Sequence, residues 1–383
     1  WCRNIFLNLN YLTGSLPLSG LKTNKPIIAA GAGASLEKSI GFLKKHRELF
    51  FLIAADTAVS VLLNNEIKPD LVVVLESQHA NLYDFYEADA LKIPAVFDLT
   101  SSPEIIRKHL GPRYFFITGF QYSSMFETLK TFGLMPPILP ALGNVGISTV
   151  YLSLCITDKN VFYCGLDFSF TPDQYHAGGA PSQIITALRE TRTCRKLFFE
   201  TATGSNRMKR NDKNGNTVFT DLVMLSGIKS VSELSRLSGR LFDIGLSGLQ
   251  SGTPLLHDEA DILEQLEKLP AGEKHPAGPG CRFSLSNENA DFDNAKQYLD
   301  YEIKKLETVI SETVNFINND LKKDTVLPAS LKKKIESVDY TFLFFPDITE
   351  PVCDISYLRR FLFSASWFKA IIIKSRSIVS FKD

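Results

Sequence analysis

The sequence lacks any bias of charge. Its 42 Lys and Arg balance 42 Asp and Glu, so the 383-residue chain is formally neutral. Nucleic-acid binders normally carry a basic excess, so no nucleic-acid partner is expected. Long apolar runs are missing too. None approaches the roughly 20 residues that a bilayer span needs. The nearest, FLFSASWFKAIII, is broken by Lys369, and no membrane span is expected. Cysteine is sparse: Cys2, Cys155, Cys164, Cys194, Cys281 and Cys353 are scattered and form no C-x-x-C pair. That spacing argues against a zinc site and against a disulfide framework. A reducing cytoplasm is the expected setting. The opening WCRNIFLNLNYLTG has no basic region followed by an apolar core and a small-residue cleavage site, so it does not read as a signal peptide. The chain does not begin with Met, and residues 1–22 are expected to be the remnant of an N-terminal region.

What remains is an ordinary globular composition, 44% hydrophobic and 22% charged. A chain longer than about 250–300 residues usually divides into two domains. From Pro26 to about Gly248, short apolar runs alternate with mixed segments. The runs are PIIAA, FFLIAAD, DLVVVLES, PAVFDLT, RYFFITG, PILPALG and NVFYCGLDF. Near-continuous Val, Ile, Leu and Phe suits strands buried on both faces. Helical patterns over 35–46, 57–64, 104–110 and 147–156 lie between them. The alternation predicts a doubly wound α/β domain with a mainly parallel sheet over 23–255. Residues 256–282 include the Pro- and Gly-rich LPAGEKHPAGPG and read as a linker. In residues 283–383, Leu299, Ile303, Leu306, Ile310, Val314 and Ile317 recur at three- and four-residue steps. That is the stripe of a long amphipathic helix, and a helical C-terminal domain is expected.

Ligands of doubly wound sheets bind beyond the carboxyl ends of the strands, so the site is sought just after each run. The first run ends in Gly31-Ala32-Gly33-Ala34-Ser35. This is either a tight turn capped by Ser35 or a backbone cradle for a phosphate at a helix N-terminus. Asp56 follows the second run, and Glu76, Ser77 and Gln78 follow the third. The two acids would face one crevice, where they suit sugar or base hydroxyls or a divalent cation, although Asp56 also suits a helix N-cap. Gly143, Asn144, Val145 and Gly146 repeat the strand–glycine–helix arrangement. Asp167 sits where the seventh run should end, with Tyr175 and His176 on the loop beyond. A loop histidine close to such an Asp is a candidate acid or base.

Taken in order, these turns resemble the motility accessory factors, bacterial flagellin nonulosonic-acid transferases whose central domain is akin to archaeal 6-hydroxymethylpterin diphosphokinases. They also resemble bacterial sialyltransferases. The motifs are the GAGASL turn, IAADTAVSVLLNNEIKPDLVVVLE, GNVG, and GLDFSF with a nearby His. The resemblance implies a Rossmann-like, sialyltransferase-like sheet. It implies that Gly31, Gly33, Ala34 and Ser35 cradle the phosphate of a CMP-activated sugar, with Asp56, Glu76, Ser77 and Gln78 near the nucleotide. Gly143, Asn144, Val145 and Gly146 would lie under the cytidine, Gly165, Asp167 and Phe168 at the strand end, and Tyr175 on the donor phosphate. Ala34 stands where the family usually has Pro, and Glu76 where it usually has Asp. No histidine occupies the place of the sialyltransferase base, which leaves His176 or a carboxylate for that role.

The implied activity is transfer of a nonulosonic acid from a CMP donor to Ser or Thr of flagellin, with no cofactor required. Backbone N–H groups and a Tyr hydroxyl would stabilise the departing phosphate, and neutral His176 would take the acceptor's proton. Two alternatives stay open. One is pyrophosphoryl transfer from ATP to a pterin, with Asp56, Glu76 and Asp167 holding Mg²⁺. The other is a non-catalytic nucleotide-binding accessory protein. Arg189, Arg192 and Arg195 are expected to lie along one side of a helix, and NRMKRNDKNGN to be a mobile loop.

Overall fold

The computed structural model describes residues 1–85, 90–119, 123–193, 204, 206–268, 290–321, 326–345 and 350–380. The seven apolar runs form strands β1 (Ile27–Ala30), β2 (Phe51–Ala55), β3 (Leu71–Val74), β4 (Ala95–Asp98), β5 (Arg113–Gly119), β6 (Ile138–Pro140) and β7 (Val161–Cys164). Strands β8 (Met208–Asn211) and β9 (Thr217–Thr220) form an antiparallel hairpin, and β10 (Leu241–Asp243) completes the main sheet. That sheet runs β10-β7-β1-β2-β3-β4-β5-β6, and every pairing in it is parallel. The chain steps outward from β1 to β6, then returns to lay β7 and β10 on the other side of β1. The strand order therefore reverses between β1 and β7.

Successive residues of a strand point to opposite faces, and each face has its own apolar layer. Ile27 and Ala29 join Ile53, Leu71 and Val73 on one side, packed by the helix Val145–Ile156, which is buried along nearly its whole length. Ile28 and Ala30 join Leu52, Ala54, Val72 and Val74 on the other side. That second layer continues without a break into the C-terminal helices Phe292–Asn315 and Ile355–Ser380. The helix Cys2–Leu12 belongs to the same layer. Its Phe6 ring packs edge-on to Tyr340 and Phe368, and its Phe6 carbonyl accepts a hydrogen bond from Ser375 Oγ at 2.5 Å. The helical region thus shares the core of the sheet.

The long amphipathic helix forms as its periodicity predicts, with one difference. Glu302 lies fully buried in its seam, accepting from Tyr340 Oη at 2.7 Å, whereas Val314 is 38% exposed. Of the expected linker, 259–267 is a helix, and 269–282 lie outside the described residues. The segment expected to be a mobile loop is the β8–β9 hairpin, pinned at its turn by Lys213, whose Nζ lies 2.7 Å from Asp243 Oδ2. The helix Pro181–Arg189 stops at Arg189, so Arg192 follows in non-helical chain. Arg195 lies outside the described residues.

Candidate functional site

Two places on the carboxyl rim of the sheet compete for the site, and they differ. The first is the reversal point between β1 and β7, where Gly31-Ala32-Gly33 turns into the helix Leu36–Lys45. Here the glycines admit the protein's own chain. Gly31 N–H donates to Cys164 O at 2.9 Å and Gly33 N–H to Gly165 O at 2.8 Å. A Cβ on Gly31 would lie 2.5 Å from Gly165 O, and one on Gly165 would lie 2.2 Å from Gly31 O. Asp167 fills the space beneath. Its carboxylate accepts Ser35 N–H at 2.8 Å and the Ser35 hydroxyl, and both side chains are buried. The hairpin brings the buried Lys213–Asp243 pair to the same spot. Desolvation by burial pushes the Asp167 carboxyl up to about 6, although the Ser35 hydrogen bonds and Lys213 pull the other way.

Gly31, Gly33, Ala34, Ser35, Gly165, Asp167 and Phe168 therefore do not line the rim's large cavity. The glycine turn expected to cradle a phosphate, and the strand-end Asp167, thus stand apart from that cavity. Ser35 already spends its N–H and hydroxyl on Asp167. Gly146 is likewise a packing glycine, since a Cβ there would lie 2.3 Å from Leu166 Cδ2. Tyr175 stacks on Phe170 with ring centroids 4.0 Å apart and does not line the cavity, against the expectation that it reaches a donor phosphate.

The second place is that cavity, of about 940 Å³, above the carboxyl ends of β2 to β6. Asp56 follows β2, Glu76, Ser77 and Gln78 follow β3, and Gly143, Asn144 and Val145 follow β6; all of them line it, as does His176. Positions that sequence reasoning did not single out join them, among them Trp1, Asp84, Asp98, Thr100 and Thr118. Asp98 and Thr100 ended a recognised apolar run, so the strand-end rule itself could have found them. Arg189, at the end of its helix, is also a lining residue.

Local chemistry accounts for the arrangement. Asn144 caps its helix by accepting Ile147 N–H at 2.9 Å. Gly143 supplies the left-handed turn (φ +89°), and no heavy atom lies within 4 Å of where its Cβ would stand. The helix N-terminus, with its partial positive charge, thus opens on free space. Asp98 is buried and accepts from Thr100 N–H at 2.7 Å, Thr118 N–H at 2.9 Å and both Thr hydroxyls. Burial raises its carboxyl above the ordinary range while those four donors oppose the shift.

His176 is held by its main chain. Gln183 Oε1 accepts the N–H groups of Tyr175 at 3.2 Å and His176 at 3.3 Å. Ala32 O accepts Ala177 N–H at 2.9 Å. Burial holds the imidazole below its ordinary ionisation, against a hydrogen bond to the Ala32 backbone that favours the charged form. The ring is therefore neutral near pH 7. Among the described residues no three of His, Cys, Asp and Glu gather as a metal-holding group. No helix among them is long and apolar enough to cross a membrane.

Residues 3–173 match the family described as 6-hydroxymethylpterin diphosphokinase MptE-like. The match covers less than half of the chain, and that segment is similar to this family. It spans the Cys2–Leu12 helix almost entirely and runs through β7 to Asp173, so His176 and the Pro181–Arg189 helix follow its end. Two uncharacterized proteins of Treponema pallidum (strain Nichols) are similar to the chain. One is 31% identical over 194 residues, covering 48% of this chain and 33% of the relative. The other is 34% identical over 87 residues, covering 22% of this chain and 41% of the relative. Among solved structures, the MAf glycosyltransferase from Magnetospirillum magneticum AMB-1 is similar over 99% of this chain and 58% of its own, with a TM-score of 0.53 at 12% identity. This likeness shows the fold, a Rossmann-like parallel sheet with helices following it. The chain spans less than two thirds of the length of each of these proteins. The motif-based resemblance to motility accessory factors is borne out by the MptE-like segment and by the shared fold.

Proposed function

We propose that the chain is a glycosyltransferase unit of the motility accessory factor kind. It draws a nonulosonic acid from a CMP-activated donor and passes it to a Ser or Thr hydroxyl of flagellin. The observation that carries this reading is one cavity on which an open helix N-terminus and a neutral histidine both border. Its size suits a nucleotide-sized ligand, since such pockets usually measure roughly 300–1,000 Å³. Asn144 and Val145, with Arg189 at the rim, meet the donor's phosphate and carboxylate. Asp56, Glu76, Ser77 and Gln78 accept hydrogen bonds from ribose hydroxyls and the base amine. The acceptor oxygen bonds to the sugar's anomeric carbon as the carbon–phosphate oxygen bond breaks, and the electron pair leaves with CMP. His176 takes the hydroxyl proton. The donor role first given to the Gly31 turn passes to the Gly143 turn. Its glycine flanks empty space rather than another strand end.

A second reading, pyrophosphoryl transfer from ATP to a pterin, is favoured by the name of the matching family and by the carboxylates of Asp56, Glu76, Asp84 and Asp98 around the cavity. Thermal unfolding with CMP and with ATP plus Mg²⁺ separates the two. A rise in Tm with CMP alone supports the transferase. A rise with ATP and Mg²⁺ but none with CMP overturns it, and stabilisation by neither removes both.

A further inference from the structure

The N-terminal helix carries two buried asparagines one turn apart, Asn4 and Asn8; Asn4 bonds to two cavity-lining residues and Asn8 to the two residues that flank one of them. Asn4 Nδ2 donates to Ser77 O at 3.1 Å and to Thr100 O at 2.9 Å. Asn8 Nδ2 donates to Leu99 O and Ser101 O, each at 2.9 Å. Both protons of each amide are therefore spent on main-chain carbonyls of the segments leaving β3 and β4. Ser77 and Thr100 line the cavity, and neither asparagine does.

An amide is the side chain this position requires. The four carbonyls are acceptors on irregular chain, and an unpaired buried carbonyl costs a large part of its lost hydration. A carboxylate of the same shape has no proton to give, and Leu of similar size has none either. The Ser102 N–H to Glu76 O bond, at 3.0 Å, ties the same two exits directly to each other. Behind the asparagines, Phe6 and Leu9 anchor the helix in the apolar layer shared with the C-terminal helices.

We propose that Asn4 and Asn8 are positioning residues of the site: they fix the separation of the β3 and β4 exits, and so set the fit of a nucleotide neither of them touches. The N-terminal helix is thus a working part of the cavity. The affinity component of this proposal rests on the nucleotide reading above. The positioning component does not.

The test uses the full chain with Asn4→Asp and, in case that variant fails to fold, the volume-matched Asn4→Leu, each checked by circular dichroism. Amide hydrogen exchange at Ser102 is the first readout. Loss of two donors to carbonyls should speed it about tenfold, with amides of the Val145–Ile156 helix unchanged. Calorimetric titration with CMP is the second, and a loss of affinity of about tenfold is expected in the same variants. Unchanged exchange at Ser102 in a folded variant overturns the positioning role. Fast exchange with undiminished CMP affinity overturns its bearing on the ligand. If the unmodified chain does not bind CMP, the nucleotide reading fails, and exchange at Ser102 still decides the positioning role.

Discussion

Asp167 accepts both the main-chain N–H and the hydroxyl of Ser35, a residue 132 positions earlier, and this pair closes the point where the sheet's strand order reverses. In doubly wound sheets that point is the usual ligand crevice. Here its polar groups satisfy one another, and open space moves along the rim to β2 through β6. The consequence is a division of labour between two glycine turns that look alike in sequence.

That division can be measured with two alanines. Gly31→Ala would put a Cβ 2.5 Å from Gly165 O, and clashes of this kind cost about 1–3 kcal/mol or more. A lowered Tm with unchanged CMP affinity per folded molecule is expected. Gly143→Ala meets open space but keeps a left-handed φ of +89°, a strain of roughly 1–2 kcal/mol for a residue with a side chain. Its Tm should fall modestly and its CMP affinity should fall as well, because the strained turn carries the helix N-terminus. Loss of CMP binding in folded Gly31→Ala alone would return the cradle to the first turn.

The Asp167 carboxyl ionises near 6 in the fold, against an ordinary value of 3.8. Between those two pH values the folded protein binds a proton that the unfolded chain has released. Stability contributed by this group is therefore complete below about pH 4 and is lost as pH rises through 6. The whole effect is on the order of 3 kcal/mol. Urea unfolding of the parent and of Asp167→Asn across pH 4–7 checks it. The difference in their stabilities should slope downward with pH and flatten above 6.

Much of this architecture was legible because parallel strands buried on both faces leave continuous apolar runs, and the polar residue after each run falls on the ligand-bearing rim. Asp56, Glu76 and Asn144 were found that way and do line the cavity. Glycine spacing, by contrast, says that something comes close without saying what. At Gly31 it is Gly165, and only the fold brings residues so far apart in sequence together. The β8 strand, MKRN, is polar and mostly exposed, so it gave no apolar alternation to read. Asn4 and Asn8 did carry a four-residue spacing. Their carbonyl partners lie more than 70 residues away, where no local pattern points.

His176 offers a direct assay of the chemistry. Burial keeps its ring neutral to a lower pH than an ordinary imidazole, so the active form should predominate at pH 7. In a sugar-transfer assay kcat/KM should rise with pH along an acid limb centred below 6.5 and then level off. His176→Ala should lower kcat by roughly 10²–10⁴-fold, the usual contribution of a positioned base. A pH profile unchanged in the variant, with only KM altered, would make the residue a binding group instead.

The buried pair under the hairpin gives the last test. Lys213 Nζ lies 2.7 Å from Asp243 Oδ2 with both side chains 3% exposed, and Lys213 Nζ also reaches Gly245 O at 3.0 Å. Removing one member of such a pair strands the other charge without water, at a cost of about 3–5 kcal/mol. Lys213→Met should therefore destabilise the chain strongly in urea. Asp243→Asn keeps an oxygen for Gly245 N–H, now 2.9 Å from Asp243 Oδ1, and carries no charge. Combined with Lys213→Met it should recover most of the loss, because an uncharged, hydrogen-bonded site no longer needs the ammonium. A double variant as unstable as Lys213→Met alone would mean that the lysine's packing, rather than its charge, holds the hairpin over the closed end of the rim.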